Sequence, residues 1–307
     1  MDIALTAFLA VLTMLIYAVP GFLMIKTRLV GEEGIGPLVK LLLYVCQPAL
    51  TYYTLMSVPY DPAILWKMGL AFLFTCLMTA LTLGGFFLLF RKKMQDARYR
   101  IYTIATALGN YGFFGVPILK ALLPEAPEAL AYATVCSIAL NAIGWTVACS
   151  IVSLDTRYIS AKKFFLNPTV AALFVVLPLF LLRAQVPAFL HDGISLVAEM
   201  STPLCMIIMG MRLALSSPRH VFLRPMQYLI VGAKQILYPL AVFLVLLLLP
   251  IDENAKAAMY ILACCPIASM TLSFAEMLGK GQESAASLVL LGTAASALTL
   301  PLMVLLL

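Results

Sequence analysis

The stretch GNYGFFGVP, residues 109–117, lies inside an apolar segment, Ile101–Leu123, that is long enough to cross a membrane. Its three glycines, one asparagine and one proline weaken the backbone hydrogen-bond ladder of a helix. In hydrocarbon an unpaired backbone N–H or C=O group is costly, so a broken backbone persists only where protein buries it or where it lines a wet cavity. The stretch fits two structures equally well: a transporter's discontinuous helix at its substrate site, or a Pro-kinked helix with close glycine packing.

The composition indicates a polytopic membrane protein. The chain has 307 residues, of which 63% are hydrophobic and 11% are charged, and its mean hydropathy is +1.03. Soluble domains carry about 25% charged residues. The expected environment is the lipid bilayer, and the net charge of +6 is assigned to cytoplasmic loops and not to nucleic-acid binding.

The length fits about ten membrane spans of about 20 residues. The expected fold is an all-α membrane protein, divided into residues 1–153, a cytoplasmic linker at 154–167, and residues 168–307. The predicted spans are Ala4–Ile25, Gly36–Met56, Ala63–Phe90, Ile101–Leu123, Ala129–Val152, Pro168–Leu182, Ile194–Leu215, Val221–Leu249, Ala257–Leu278 and Ala285–Leu307.

Basic residues predict the orientation. Most basic residues lie in or near the loops that follow odd-numbered spans. The other side of the membrane has only Lys67, Lys120, Arg183 and Lys256. By the positive-inside rule the odd-numbered loops are cytoplasmic and both termini face the non-cytoplasmic side. The cytoplasmic set comprises Lys26, Arg28, Lys40, Arg91, Lys92, Lys93, Arg98, Arg100, Arg157, Lys162, Lys163, Arg212, Arg219, Arg224 and Lys280.

The two halves repeat each other's features in order. Pro48 in span two and Pro203 in span seven are 155 positions apart, and Asn141 and Ser296 in spans five and ten have the same separation. Pro117 in span four precedes Pro266 in span nine by 149 positions. Five spans per half force the second half to be inverted, which is the architecture of many secondary transporters, with the site at the repeat interface.

Four segments carry a family resemblance. GNYGFFGVPI in span four, STPLCMIIMGMRLA in span seven, and CCPIASMTLSFAEMLGKG followed by LLGTAASALTLP in spans nine and ten resemble the auxin efflux carrier family. Its bacterial members include malate or malonate permeases, and its fold relatives include plant auxin transporters and bile acid/sodium symporters.

The resemblance implies ten spans in two inverted five-span repeats, with the broken spans four and nine crossing at their centres. It also implies a scaffold of spans one, two, six and seven that carries the homodimer surface, and a transport unit of the other spans that moves past it as an elevator. The family's crossing prolines fall on Pro117 and Pro266, and its asparagine before the glycine-rich break falls on Asn110. Many relatives carry an asparagine soon after the ninth-span proline, whereas this chain has Ile267–Thr271 there.

The candidate substrate-binding residues cluster at the two breaks and at the matched prolines. An uncharged amide at the break can bind a carboxylate, and half-helices starting beyond Pro117 and Pro266 would point free N–H groups toward the cavity. The alternative for the polar residues is structural: they bond neighbouring helices or the carbonyls that proline frees. The full set is Gln47, Asn110, Tyr111, Gly112, Pro117, Asn141, Cys265, Pro266, Ser269 and Ser296.

Three residues are candidates for coupling transport to an ion. Glu199 and Lys234 are ionisable and lie within predicted spans, where charges are functional hypotheses by default, and Thr202 precedes Pro203. Glu199 could instead be hydrated near the outer surface, and Lys234 could snorkel or pair near the cytoplasm. Proton and sodium coupling both stay open, and no cofactor is expected.

The composition and motifs disfavour other classes of protein. His191 and His220 fall in predicted loops, no nucleophile–base set can be assembled, and the cysteines lack metal-site spacing. An enzyme and a metal site are therefore not expected. The predicted function is secondary transport of small organic anions, such as malate, malonate or auxin-like acids, across a bacterial inner membrane. A channel, or a transporter of neutral or weakly polar molecules, is the alternative, because no arginine is placed to clamp a carboxylate.

Overall fold

The computed structural model describes residues 2–158, 168–216 and 224–307, and the regular structure over these residues is helical apart from one isolated backbone bridge. Most of the predicted linker, with Lys162 and Lys163, lies outside the described residues, as do Arg219 and His220. The helices are α1 Ile3–Lys26, α2 Glu32–Met56, α3 Pro62–Lys93, α4 Ala97–Ala105, α5 Tyr111–Leu122, α6 Ala129–Ser153, α7 Pro168–Leu181, α8 Ala188–Leu215, α9 Pro225–Leu247, α10 Glu253–Cys264, α11 Met270–Leu278 and α12 Gln282–Leu306.

Seven of these helices are long and apolar enough to cross a membrane: α1, α2, α3, α6, α8, α9 and α12. Large apolar side chains are exposed along them, for example Leu73, Leu77 and Leu81 on α3. A soluble protein would bury such a stripe, whereas a membrane helix presents it to lipid tails. The expectation of a helical integral membrane protein is confirmed.

Aspartates fix where several helices begin. The carboxylates of Asp61, Asp96 and Asp252 accept hydrogen bonds from the first-turn N–H groups of α3, α4 and α10. Each satisfies a donor that has no partner inside its helix. At the other end of α11, Gly279 adopts a φ of 62° as the helix cap, a conformation that glycine reaches without steric cost.

Two pairs of short helices meet at breaks in the middle of the fold. The gap between α4 and α5 covers residues 106–110, and the gap between α10 and α11 covers residues 265–269. The two gaps run antiparallel: Asn110 N–H donates to Pro266 O at 2.9 Å, and Ala268 N–H donates to Leu108 O at 2.9 Å. Each broken segment therefore satisfies part of the other's backbone, as buried polar groups in a membrane require.

One prediction about the first break is wrong. The helix after the break begins at Tyr111, before Pro117, and not beyond it. A proline at 117 has no N–H for the carbonyl of Phe113, and that carbonyl accepts a hydrogen bond from Thr202 Oγ1 at 2.7 Å instead. The threonine of α8 lets α5 run through its proline, so the break lies upstream at the glycine and asparagine.

The remaining helices pack in two sets, and α1 joins the sets by also packing against α12 and α5. In the first, α1 packs along α8, and α2 packs against α7 and the first half of α8. In the second, α3 packs on α6, α9 on α10, and α11 on α12. Helix α8 begins at Ala188, earlier than predicted, so His191 lies in a helix and not in a loop, and its Nδ1 is 3.1 Å from Tyr52 Oη.

Glycines bring α1 and α8 into backbone contact. A Cβ atom added at Gly21 would lie 1.9 Å from the carbonyl oxygen of Ile207, and one added at Gly210 would lie 1.8 Å from that of Ala18. Two helices approach this closely only when the side chain between them is a hydrogen atom. The α1–α8 pair is therefore a tightly fitted unit.

Candidate functional site

A cavity of about 100 Å³ lies against the crossing of the two broken segments. Both breaks line it, together with α2, α6 and α8. Six of the predicted substrate-binding residues lie on its wall: Gln47, Asn110, Tyr111, Gly112, Asn141 and Ser269. The crossing thus brings together residues from both halves of the chain, which are far apart in sequence.

The beginnings of two half-helices form part of the cavity wall. Gly112 and Phe113 lie in the first turn of α5, and Ser269 and Met270 begin α11. First-turn N–H groups have no partner within their own helix, and the helix dipole places partial positive charge there. These ends can receive an anion or the oxygen of a polar solute.

The polar wall opposite the breaks belongs to α2 and α6. The amide nitrogen of Gln47 lies 3.5 Å from the position that a Cβ on Gly112 would occupy, so a side chain there would meet the glutamine. Asn141 Nδ2 donates to Ser137 O at 2.8 Å. The buried Ser137 hydroxyl has no hydrogen-bond partner among the described residues and lines the same cavity. It is available to a ligand.

Arg212 closes the cavity at one end. It lies in the last turn of α8 and is only 7% exposed, and one of its terminal nitrogens donates to Glu276 Oε2 on α11 at 2.7 Å. Its buried Nε has no hydrogen-bond partner among the described residues. The sequence indicates no arginine at the site, whereas the structure places Arg212 on the cavity wall.

The charges around the cavity are one-sided. Among the described residues that line it, Arg212 is charged positively and none is an aspartate or a glutamate. The rest of the wall is largely apolar, with Leu42, Leu140 and Trp145. Glu276, the carboxylate that pairs with Arg212, lies off this wall. The wall itself therefore offers an anion a cation and no acidic side chain.

Lys234 lies behind the crossing and does not reach the surface. It is fully buried, its Nζ donates to Ala263 O at 2.9 Å, and the same nitrogen lies 4.6 Å from the centre of the Tyr238 ring. The suggestion that it snorkels is wrong, because the last turn of α10 and an aromatic face hold its ammonium group. It adds positive charge beside Gly109 without lining the cavity.

Four predicted site residues lie near the crossing but off the cavity wall. Pro266 contributes its carbonyl to the bridge, and the Cys265 thiol packs toward Ile261 O at 3.6 Å. Ser296 is buried in α12, where its hydroxyl donates to Thr293 O at 2.6 Å. Pro117 faces a separate cavity. Their placement gives them structural contacts, and direct substrate contact stays a prediction for each.

The separate cavity lies on the other side of the crossing. It measures about 350 Å³ and is lined by Pro117, Glu199, Thr202 and Lys120 among others. Glu199 is exposed there, and the Thr202 hydroxyl is engaged with Phe113 O as described above. Coupling roles for Glu199, Thr202 and Lys234 remain predictions.

A third, wider cavity continues from the site toward the end of the molecule that carries the basic loops. It measures about 670 Å³, and Val39 and Arg212 line both this cavity and the site. Glu276, Lys40 and Gln282 line its sides. The Arg212–Glu276 pair therefore separates the site from the wider cavity.

Sequence reasoning missed Ser137, Cys205 and Arg212 as wall residues. Ser137 and Asn141 lie one turn apart on α6, and that spacing was the available signal. Cys205 lies beside Asn110 and Ser269 and resembled an inert apolar residue in the sequence. Across the described residues, no group of three or more His, Cys, Asp or Glu side chains is placed to hold a metal ion.

Comparison with protein families gives a match in both halves of the chain. A family model described as membrane transport protein matches residues 6–162 and again residues 155–304. The same model thus matches each half of the chain separately. A search of curated proteins found no match.

Proposed function

This chain belongs to the membrane transport protein family, the auxin efflux carrier family that its motifs resemble, and we propose that it is a secondary transporter of small organic anions. The substrates are mono- or dicarboxylates such as malate and malonate, or auxin-like acids. The observation that carries the proposal is the cavity at the crossing, whose described wall combines half-helix N-termini with Arg212 and contains no acidic side chain. Such a wall stabilises a carboxylate and repels no part of it.

The transporter works by alternating access in which one group of helices moves past the other. The scaffold is α1, α2, α7 and α8, and its tight α1–α8 packing supports a rigid role. The remaining helices carry the crossing and form the moving unit. The wider cavity beside Arg212 supports an arrangement in which the site faces the basic end of the molecule.

The architecture behind this movement is ten spans in two inverted repeats, with α4 and α5 as one broken span and α10 and α11 as the other. The separate family matches to the two halves support a repeat. So does the contact of Ser201 Oγ with Cys46 O at 3.2 Å, since these residues are 155 positions apart, the spacing of the repeat. Residues at equivalent positions meet where a pseudo-twofold axis passes between the halves.

The setting is a bacterial inner membrane with both termini outside and the wider cavity facing the cytoplasm, and the chain forms a homodimer through its scaffold. The basic loops support the orientation. Exposed apolar residues on α7, such as Phe174 and Val175, support a lipid or subunit contact there. Thiol labelling from each side of the membrane tests the orientation, and cross-linking in membranes tests the homodimer.

The experiment is a thermal-shift screen of purified protein against carboxylates, indole acids and uncharged analogues, with and without sodium and at two pH values. Ligand occupancy raises the melting temperature, so we expect shifts of a few degrees with carboxylates alone. Uptake into proteoliposomes then measures transport, and dependence on pH or sodium identifies the coupling ion. Shifts with uncharged analogues and none with any acid would support a carrier or channel for weakly polar molecules, for which the largely apolar wall is also suited.

A further inference from the structure

Among the described residues, the ion pair between Arg212 and Glu276 is the one that touches the site. It joins α8 in the proposed scaffold to α11 in the proposed moving unit, and it lies at the boundary between the site and the wider cavity. Other ion pairs among the described residues, such as Arg224–Glu283, do not involve the wall of the site. Arg212 alone is both paired and part of that wall.

The two partners differ in their surroundings. The Arg212 side chain is 8% exposed, whereas the Glu276 side chain is 44% exposed. A carboxylate that loses its partner at such a position is hydrated, but a buried guanidinium that loses its partner is left uncompensated at a high cost. The arginine therefore needs an anion at all times, while the glutamate does not need the arginine.

The guanidinium also has unused capacity toward the site. Glu276 takes one terminal nitrogen, and Nε remains unpaired among the described residues. Nε and the neighbouring nitrogen form a planar fork that fits a carboxylate. Arg212 lies two turns beyond Cys205 on α8, and helical side chains tilt toward the N-terminus, so its side chain extends back toward the crossing.

We propose that Arg212 binds an anionic group of the substrate and that Glu276 occupies the same guanidinium when the site is empty. The proposal rests on the anion transport proposed above and names the group that selects the charge. A bound acid replaces Glu276, which turns into the wider cavity. Loading the site thereby breaks the ion pair between α8 and α11, and the moving unit is released only when an acid is present.

The test measures the affinity of the purified protein for malonate by calorimetry, with malonamide as the uncharged analogue. Arg212→Gln should weaken malonate binding tenfold or more. Glu276→Gln should strengthen it several-fold, because the competitor is gone. The double variant should match Arg212→Gln, since Glu276 acts only through the arginine. Affinity for malonamide should change in none of them.

Matched controls are Lys256→Gln and Glu253→Gln, which remove an ion pair of 3.0 Å that lines neither the site nor the wider cavity. Neither should alter malonate affinity. A purely structural Arg212–Glu276 pair would give weaker or unchanged binding in Glu276→Gln, and that result would overturn the proposal even if Arg212→Gln folds poorly.

The outcome for the wild type separates the two proposals. If the wild-type protein binds no acid in the screen, anion transport is wrong and this inference falls with it. If the wild type binds malonate, or another acid used in its place, and Arg212→Gln binds it equally well, only the inference is wrong.

Discussion

Asn110 uses its main chain and its side chain for different tasks. Its N–H donates to Pro266 O and its carbonyl accepts from Gly115 N–H at 3.0 Å, so the backbone holds the crossing together. The side chain lies on the cavity wall beside Cys205. Replacing the side chain therefore leaves the crossing's hydrogen bonds in place.

Asn110→Ala should abolish acid binding and leave the melting temperature of the empty protein within a few degrees of wild type. In the proposed site the amide donates to the bound acid, whereas no backbone bond depends on it. Calorimetry and thermal unfolding measure the two quantities. Thr103→Val, which removes a buried hydroxyl that donates to Tyr99 O off the cavity wall, is the control and should keep wild-type affinity. Wild-type affinity in Asn110→Ala would move the site away from this wall.

Thr202 has a structural task that can be isolated. Thr202→Val keeps the shape and removes the donor to Phe113 O, so stability should fall by about 1–3 kcal/mol, the cost of an unpaired buried carbonyl. In a Pro117→Ala background the loss should shrink, because residue 117 then supplies the missing N–H. Denaturant unfolding of the four proteins measures the coupling. Equal losses in both backgrounds would show that Thr202 does not compensate for the proline.

At the scale of single residues, the sequence predicts where the helix breaks but not where a side chain such as that of Arg212 points. The glycines and asparagine of residues 109–117 located the break, because they lack helix stability wherever they lie. Arg212 was assigned to a cytoplasmic end, since it follows an apolar run. Its side chain reaches back into the protein because Glu276, 64 positions away, faces it, and such a pairing depends on tertiary contacts.

At the scale of helices, the α1–α8 contact is the tightest interface described. Gly210→Ala should destabilise the protein strongly or prevent its accumulation, because the added methyl group would collide with the Ala18 carbonyl, which is backbone and cannot move alone. Gly69→Ala on α3 is the control, since nothing lies within 4 Å of its new Cβ. Fluorescence size-exclusion chromatography after heating measures both variants. Equal stability of the two would mean that α1 and α8 separate more easily than their packing implies.

The helix boundaries agree with those predicted from the sequence where a capping residue or a proline marks the start of the helix. Aspartate caps place the starts of α3 and α10, together with Pro62 in the first turn of α3, within a few residues of prediction. The start of α5 was misplaced because a proline usually marks the first turn of a helix. Here the Thr202 hydroxyl from α8 supplies the hydrogen bond to Phe113 O that the proline cannot make, and nothing in residues 109–117 predicts that partner.

At the scale of the whole molecule, the proposed movement requires α12 to travel relative to α2. Lys40 and Gln282 are exposed on opposite walls of the wider cavity. A bifunctional maleimide joining Lys40→Cys to Gln282→Cys should stop proteoliposome uptake. Each single variant treated with the same reagent should retain most of its activity. Wild-type uptake in the cross-linked double variant would show that these two walls do not separate during transport.

The crossing itself is held by two hydrogen bonds between main-chain atoms. Main-chain bonds make no demand on the identity of the side chains at Asn110, Ile267 or Ala268. Mutation can therefore alter what the site accepts without dismantling its frame. This chain carries Ile267–Thr271 where many auxin efflux carriers have an asparagine, and its two broken segments still pair. Transporters built on such a crossing can differ in the substrates they accept while they keep the same backbone frame.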